Sequence, residues 1–128
     1  MVGDPFKPVR RGPFNLVSRV IWSLKGFRET YQSEASFRSW VYANVLSAGL
    51  ALYLPIEPHE RLLIIVLGLL ILGVELINTA IEHLADEVDP TENARIAACK
   101  DAASAGVAIV AIAAGVAWVF AGLGLAGF

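Results

Sequence analysis

Charged residues are scarce in this sequence. Asp, Glu, Lys and Arg make up 17% of its 128 residues, 56% are hydrophobic, and the mean hydropathy is +0.61. A soluble domain usually has about a quarter charged residues. Two long stretches, residues 39–56 and 102–128, contain no charged residue at all. This composition excludes an ordinary water-soluble domain and indicates one small membrane domain, long enough for three or four spans.

Other common features are also missing. Cys99 is the single cysteine, so an intrachain disulfide is excluded. Residues 1–11 have no apolar segment, so we expect no cleavable signal peptide. The chain has neither a Gly-x-x-x-x-Gly-Lys-Ser/Thr loop nor the catalytic-loop triplet of protein kinases. The distribution of charged residues and motifs in the sequence predicts no nucleic-acid partner.

The positive charge is concentrated near the N-terminus. Seven of the 10 Lys and Arg residues precede the first long apolar stretch, namely Lys7, Arg10, Arg11, Arg19, Lys25, Arg28 and Arg38. Membrane proteins keep such residues on the cytoplasmic side. We therefore expect a cytoplasmic N-terminus.

Periodicity and composition divide the chain into an arm and one helical domain. Residues 1–13 are rich in Pro, Gly and basic residues and predict a flexible cytoplasmic arm, and residues 14–128 form the domain. Residues 14–31 predict an amphipathic helix on the membrane surface, although a soluble helix packed on a partner has the same pattern. A polar break at 32–36 follows, then spans at about 37–55, 61–85 and 102–126, with Thr91 capping the last helix. Because three helices cannot shield several carboxylates from lipid, we expect oligomerisation.

A stripe of polar side chains runs along the second span. Glu75, Asn78, Glu82 and Asp86 share one helix face, because each residue advances about 100° around the axis. If Arg61 marks the outer boundary, Glu75 lies roughly 21 Å and Glu82 roughly 31 Å along the helix. A carboxylate at membrane depth predicts a functional site. For Glu75 alone, a snorkelling or interhelically bonded side chain is the alternative.

The hairpin topology brings several charged groups to the cytoplasmic end. Glu34, Glu82 and the Lys100-Asp101 pair would meet there. Two carboxylates and a lysine suit a Mg²⁺–nucleotide complex. Glu75, deeper and partly desolvated, suits a general base for a lipid hydroxyl. Lys100-Asp101 could equally be a solvated helix start, and Glu34 a plain surface acid.

The motif segments resemble those of a known family. They are Glu75-Leu-Ile-Asn-Thr-Ala-Ile-Glu82, Ala98-Cys-Lys-Asp-Ala-Ala-Ser104, Lys25-Gly-Phe-Arg28 and Glu34-Ala-Ser-Phe-Arg38. Together they resemble the small prokaryotic integral-membrane diacylglycerol kinase family, which includes undecaprenol kinases. The resemblance covers roughly residues 14–128. Differences fall at Asn15, where the family's diacylglycerol kinases have an arginine, at Trp22, where they have a tyrosine, and at residues 91–93 of the nucleotide loop.

The resemblance implies an all-α membrane protein: a homotrimer whose subunits each have a surface helix and three transmembrane helices, with sites shared between subunits. It implies Mg²⁺- and ATP-dependent phosphorylation of a lipid alcohol at the cytoplasmic face of the bacterial inner membrane. Glu75 would be the catalytic base, and Asn78 would position reacting groups. Glu34 and Glu82 would bind the metal and, through it, ATP. The remaining assignments are Lys100, Asp101 and Trp22 for ATP, and Lys25, Arg28, Arg38, Glu75 and Ser104 for the lipid.

Three functions stay open on the sequence. Diacylglycerol is the expected acceptor, and undecaprenol would use the same mechanism. A non-enzymatic helical bundle that conducts protons or ions along Glu75 and Glu82 belongs to a different class.

Overall fold

The computed structural model describes residues 7–8 and 12–128, and every described element is helical. The helices are α1 (Leu16–Ser33), α2 (Ala35–Tyr53), α3 (Pro58–Val88) and α4 (Ala94–Leu125). This confirms the predicted all-α class. The predicted arm, residues 1–13, lies largely outside the described residues.

A single residue separates the first two helices. Glu34 is extended (φ −106°, ψ 114°), and α2 begins directly after it. The predicted break at 32–36 is therefore too wide. The physical reason is Arg38, whose Nη1 donates to the carbonyl oxygens of Tyr31 (2.9 Å) and Gln32 (3.0 Å). These bonds satisfy carbonyls at the end of α1 and let the helix run to Ser33.

Helix α1 has an apolar face that the other described residues leave exposed. Its exposed apolar residues are Leu16, Val17, Val20, Ile21 and Leu24. Asn15 caps the start of α1, because its Oδ1 accepts from the Ser18 amide at 2.9 Å. Near the other end, Phe27 packs edge-on against fully buried Phe37, with ring centroids 5.1 Å apart. That aromatic contact anchors α1 to α2.

The turn between α2 and α3 is held by Arg61. Its Nε donates to the Ala51 carbonyl at 2.7 Å and its Nη2 to the Leu54 carbonyl at 3.2 Å. The Glu57 amide donates to Glu60 Oε2 at 3.2 Å and closes the start of α3. These bonds stabilise the predicted antiparallel return.

The packed core lies at the same end of the molecule as this turn. It consists of the buried residues Ala51, Ile56, Ile64, Ala117 and Ala121. α3 packs against both α2 and α4. Trp118 Nε1 on α4 donates to Ser47 Oγ on α2 at 2.9 Å and ties the two flanking helices together.

Two of the described helices are long and apolar enough to cross a membrane, α3 and α4. Only 33% of the most apolar 18-residue segment of α3, and 17% of that of α4, is buried inside the structure. The core helix of a soluble protein would be mostly buried, so these surfaces fit lipid or a partner subunit. α2, the predicted first span, is not among them, and the three-span arrangement stays a prediction.

The last helix begins earlier than the predicted third span. Asn93 caps α4, with its Oδ1 accepting from the amides of Arg95 (3.0 Å) and Ile96 (3.1 Å). The prediction of Thr91 as the cap is wrong, because Thr91 bonds instead to the Asp89 carboxylate. Lys100 and Asp101 consequently lie within α4.

Candidate active site

The polar stripe of α3 opens into a cavity between three helices. The cavity has a volume of ≈ 340 Å³ and lies at the opposite end from the packed core. Its lining residues are Ser36 and Trp40 of α2, Glu75, Asn78 and Glu82 of α3, and Ser104, Val107 and Ala108 of α4. Glu75, Asn78 and Glu82 thus share one face of α3, as helical periodicity predicts, and that face lines the cavity.

Glu75 is the most buried charged side chain of the described residues, with 4% of its surface exposed. A buried carboxylate costs free energy unless it is paired. Among the described residues, no side chain donates a hydrogen bond to it. The carboxylate is therefore available to a hydroxyl group that enters the cavity.

Asn78 donates a hydrogen bond to Glu82, and its own side-chain oxygen accepts none from the described residues. Its Nδ2 donates to Glu82 Oε1 at 3.0 Å, one helical turn further along α3. Its Oδ1 is buried and has no hydrogen-bond partner among the described residues. Buried polar atoms are nearly always satisfied, so this oxygen points to a donor supplied by a ligand or water.

Glu34 lies at the hinge between α1 and α2 and contacts α3. His83 Nε2 is 3.1 Å from Glu34 Oε1, and Ser33 Oγ donates to the same oxygen at 3.3 Å. Among the described residues, no three His, Cys, Asp or Glu side chains cluster as metal ligands. Mg²⁺ needs only one or two protein carboxylates when phosphate oxygens and waters complete its shell. The carboxylates of Glu34 and Glu82 fit that oxygen-only requirement.

Lys100 lies between two carboxylates near the start of α4. Its Nζ is 2.6 Å from Asp86 Oδ1 and 3.7 Å from Glu92 Oε1. Asp86, the last residue of the stripe, thus contacts Lys100 and does not line the cavity. Asp101 is exposed on the neighbouring position of α4.

The other predicted site residues lie outside the cavity lining. Trp22 lies on α1, with its ring centroid 6.3 Å from that of Phe14. Lys25 forms an exposed pair with Glu29 at 3.6 Å, and Arg28 is exposed on the same helix. Arg38, assigned to the lipid by the resemblance, bonds to the backbone of α1 as described above. Of the predicted residues, the structure unites Glu75, Asn78, Glu82 and Ser104 in one cavity.

The sequence did not point to three residues at this site. Ser36 and Trp40 line the cavity from α2, and His83 bonds Glu34. Ser36 and Trp40 have a weak signal in their spacing of one helical turn, which puts them on one face of α2. The contact of His83 joins residues 49 positions apart, and no local pattern indicates it.

Several known proteins are similar to this chain. A family model described as "Prokaryotic diacylglycerol kinase" matches residues 21–121. The diacylglycerol kinase of Pseudomonas aeruginosa is 36% identical over 105 residues, which cover 82% of this chain and 85% of that protein. The diacylglycerol kinase of Escherichia coli K12 is 33% identical over 97 residues, covering 76% and 80%.

A more distant relative agrees with these two. The diacylglycerol kinase of Haemophilus influenzae is 27% identical over 107 residues, which cover 84% of this chain and 91% of that protein. All four matches span the polar stripe of α3 and the start of α4. The chain belongs to the prokaryotic diacylglycerol kinase family and is a lipid kinase.

Proposed function

We propose that this protein transfers the γ-phosphoryl group of ATP to the hydroxyl of diacylglycerol and so forms phosphatidic acid. The observation that carries this proposal is the burial of Glu75, unpaired among the described residues, beside a cavity that also holds Asn78 and Glu82. The names of the relatives support diacylglycerol as the acceptor.

Glu75 acts as the general base in this proposal. Its carboxylate removes the proton of the lipid hydroxyl as the oxygen attacks the γ-phosphorus. The bond between the γ-phosphorus and the bridging oxygen breaks, and ADP leaves with that oxygen. Phosphoryl transfer requires mainly alignment and charge neutralisation from a protein. Asn78 contributes alignment, because it fixes Glu82 and offers its free Oδ1 to a donor.

Glu34 and Glu82 would hold Mg²⁺, which neutralises phosphate charge when bound. Lys100 and Asp101 would hold the nucleotide, with Trp22 as a further contact. Lys100 is paired with Asp86 and Glu92, so phosphate oxygens would replace at least one of these carboxylates. Ser104 lines the cavity and would contact the acceptor there. Lys25, Arg28 and Arg38 would contact the lipid from the surface side.

The proposed function also requires a particular assembly of the subunits and a particular orientation in the membrane. α2, α3 and α4 would span the bacterial inner membrane, α1 would lie on its cytoplasmic surface, and three subunits would share their sites. The exposed apolar faces of α3 and α4 support burial against lipid or neighbouring subunits.

An acceptor assay tests the proposed substrate. Purified protein in lipid vesicles is incubated with Mg²⁺, ATP labelled at the γ position, and either diacylglycerol or undecaprenol. We expect label in phosphatidic acid at a rate well above that for undecaprenyl phosphate. Faster labelling of undecaprenol would reassign the acceptor and leave the mechanism intact. Ion conductance without nucleotide binding would contradict the catalytic role of the Glu75 stripe.

A further inference from the structure

His83 joins α3 to the hinge between the first two helices. Its Nε2 bonds Glu34 Oε1 at 3.1 Å, and Ser33 Oγ donates to the same oxygen. Glu34 is the only extended residue between α1 and α2, so its own backbone does little to fix its carboxylate. The contact with His83 ties this carboxylate to the helix that carries Glu82.

Both hydrogen bonds use one oxygen of the Glu34 carboxylate. Oε1 receives the two donors, and neither bond uses Oε2. Because a carboxylate is planar, fixing one oxygen restricts the direction of the other, as outer-shell bonds do for metal ligands. His83 Nε2 must carry a hydrogen in this contact, and both the neutral Nε2–H tautomer and the imidazolium provide one.

The consecutive residues Glu82 and His83 of α3 point in different directions. Glu82 lines the cavity, while His83, about 100° further round the helix, faces the hinge. We infer that His83 is a positioning residue that holds Glu34 so that its Oε2 can bind the divalent cation shared with Glu82. This inference rests on the metal assignment of the proposed function.

The solvent exposure of His83 and Glu34 determines how strongly their contact can affect cation binding. The side chains of His83 and Glu34 are 64% and 30% exposed. Solvent-exposed pairs contribute little, so loss of the contact should weaken cation binding by about two- to fivefold. A purely structural link between the hinge and α3 would change the thermal stability and leave the cation affinity unchanged.

The test compares two substitutions of His83. His83→Leu removes the donor at similar volume, and His83→Gln restores an N–H donor. His59→Leu, at the opposite end of α3, is the matched control. Mn²⁺ binding to the full chain in vesicles, with a non-hydrolysable ATP analogue present, is measured from the free Mn²⁺ signal in electron paramagnetic resonance. The Mg²⁺ concentration for half-maximal activity is measured in parallel.

We expect His83→Leu to raise both cation midpoints about two- to fivefold, with His83→Gln and His59→Leu close to wild type. An unchanged Mn²⁺ affinity in His83→Leu, or no rescue by His83→Gln, would overturn the inference. Glu34→Gln and Glu82→Gln separate the two proposals. If these variants bind Mn²⁺ as wild type does, the metal assignment fails; if they weaken it and His83→Leu does not, only the positioning role fails.

Discussion

At the scale of single residues, Glu75 carries the proposed chemistry. Glu75→Gln keeps the shape of the side chain and removes its ability to accept a proton. We expect the transfer rate to fall by at least about 10²-fold, because a positioned base contributes that much. Binding of an ATP analogue should stay near wild type. The variant Glu87→Gln, an exposed acid in the last turn of the same helix, is the control for a general loss of negative charge.

Glu82 is predicted to act through the metal. Glu82→Gln retains an oxygen that can accept from Asn78 but loses the charge that attracts a cation. The Mg²⁺ concentration needed for half-maximal activity should rise several-fold, and added Mg²⁺ should restore much of the rate. A magnesium titration that superimposes on that of the wild type would remove Glu82 from the metal site.

Helical periodicity predicted part of this site at residue resolution. Glu75, Asn78 and Glu82 line one cavity because the period of the helix fixes their common face, whatever surrounds it. Asp86 shares that face in the sequence, yet it lies beyond the cavity and pairs with Lys100. The pairing of Asp86 with Lys100, and of Glu34 with His83, depends on how the helices pack. The periodicity of a single helix does not determine that packing.

At the scale of elements, close approach of α2 and α3 depends on Gly68. A Cβ at this position would collide with Asn44 Oδ1, and Asn44 is held by its own bond to the Trp40 carbonyl at 2.9 Å. Relative to an alanine substitution at an open position of α3, Gly68→Ala should therefore destabilise the fold by about 1–3 kcal/mol, the usual cost of overpacking. Thermal unfolding in detergent micelles measures this change.

Gly73 provides the matched control for that substitution. It lies on the same helix, and a Cβ there meets nothing within 4 Å. Gly73→Ala should be neutral or slightly stabilising, because alanine favours helix more than glycine does. Equal destabilisation by both substitutions would show that the contact with Asn44 is not the cause.

The connection between α3 and α4 should respond to acid. Hydrogen bonds from the hydroxyl and amide of Thr91, and then from Asn93, hold the pKa of Asp89 below its usual value. A lowered pKa stabilises the folded state above the usual pKa of about 3.9, and this stabilisation is lost as the pH falls through the lowered value. Asn93 also caps α4, so loss of the Asp89 charge should loosen the first turn of that helix.

Amide hydrogen exchange of Arg95 and Ile96 measures this loosening. We expect their protection factors to fall between about pH 5 and pH 2 in the wild type. Asp89→Ala should give low protection at both pH values, whereas Glu87→Ala should behave as the wild type does. A wild-type protection that does not change over this range would contradict the role of Asp89.

Helix existence was easier to predict than helix ends. Apolar periodicity and uncharged stretches predicted four helical segments, and all four are helical. The ends at Ser33 and Ala94 depend on Arg38 and Asn93, whose side chains satisfy backbone groups. Several polar residues near each helix end could have formed such side-chain to backbone hydrogen bonds. Which of them does so depends on the packing of the folded chain.

At the scale of the whole molecule, the two ends of α3 should lie on opposite sides of the membrane. Cysteines are introduced singly at Glu57, in the turn before α3, and at Thr91, after it, in a Cys99→Ser background. An impermeant thiol reagent applied to inverted inner-membrane vesicles should label the Thr91→Cys protein. The Glu57→Cys protein should be labelled only after detergent is added. Labelling of both from one side would contradict a spanning α3.

The oligomeric state was harder to predict from the sequence than the helices or the candidate site. The sequence shows that apolar surface is abundant, and the chain leaves much of it exposed on α3 and α4. Lipid and a neighbouring subunit present similar chemistry to such a face, so hydrophobicity does not distinguish them. The trimer therefore remains part of the proposal.

The apolar cluster and the Arg61 bonds clamp α2, α3 and α4 near one end, while the cavity lies at the other. Near the cavity end, the helices are joined by polar side-chain contacts, those of His83 with Glu34 and of Lys100 with Asp86. Polar contacts can exchange with water or with a polar ligand, so a bulky acceptor would enter beside Glu75 without disturbing the apolar packing at the far end.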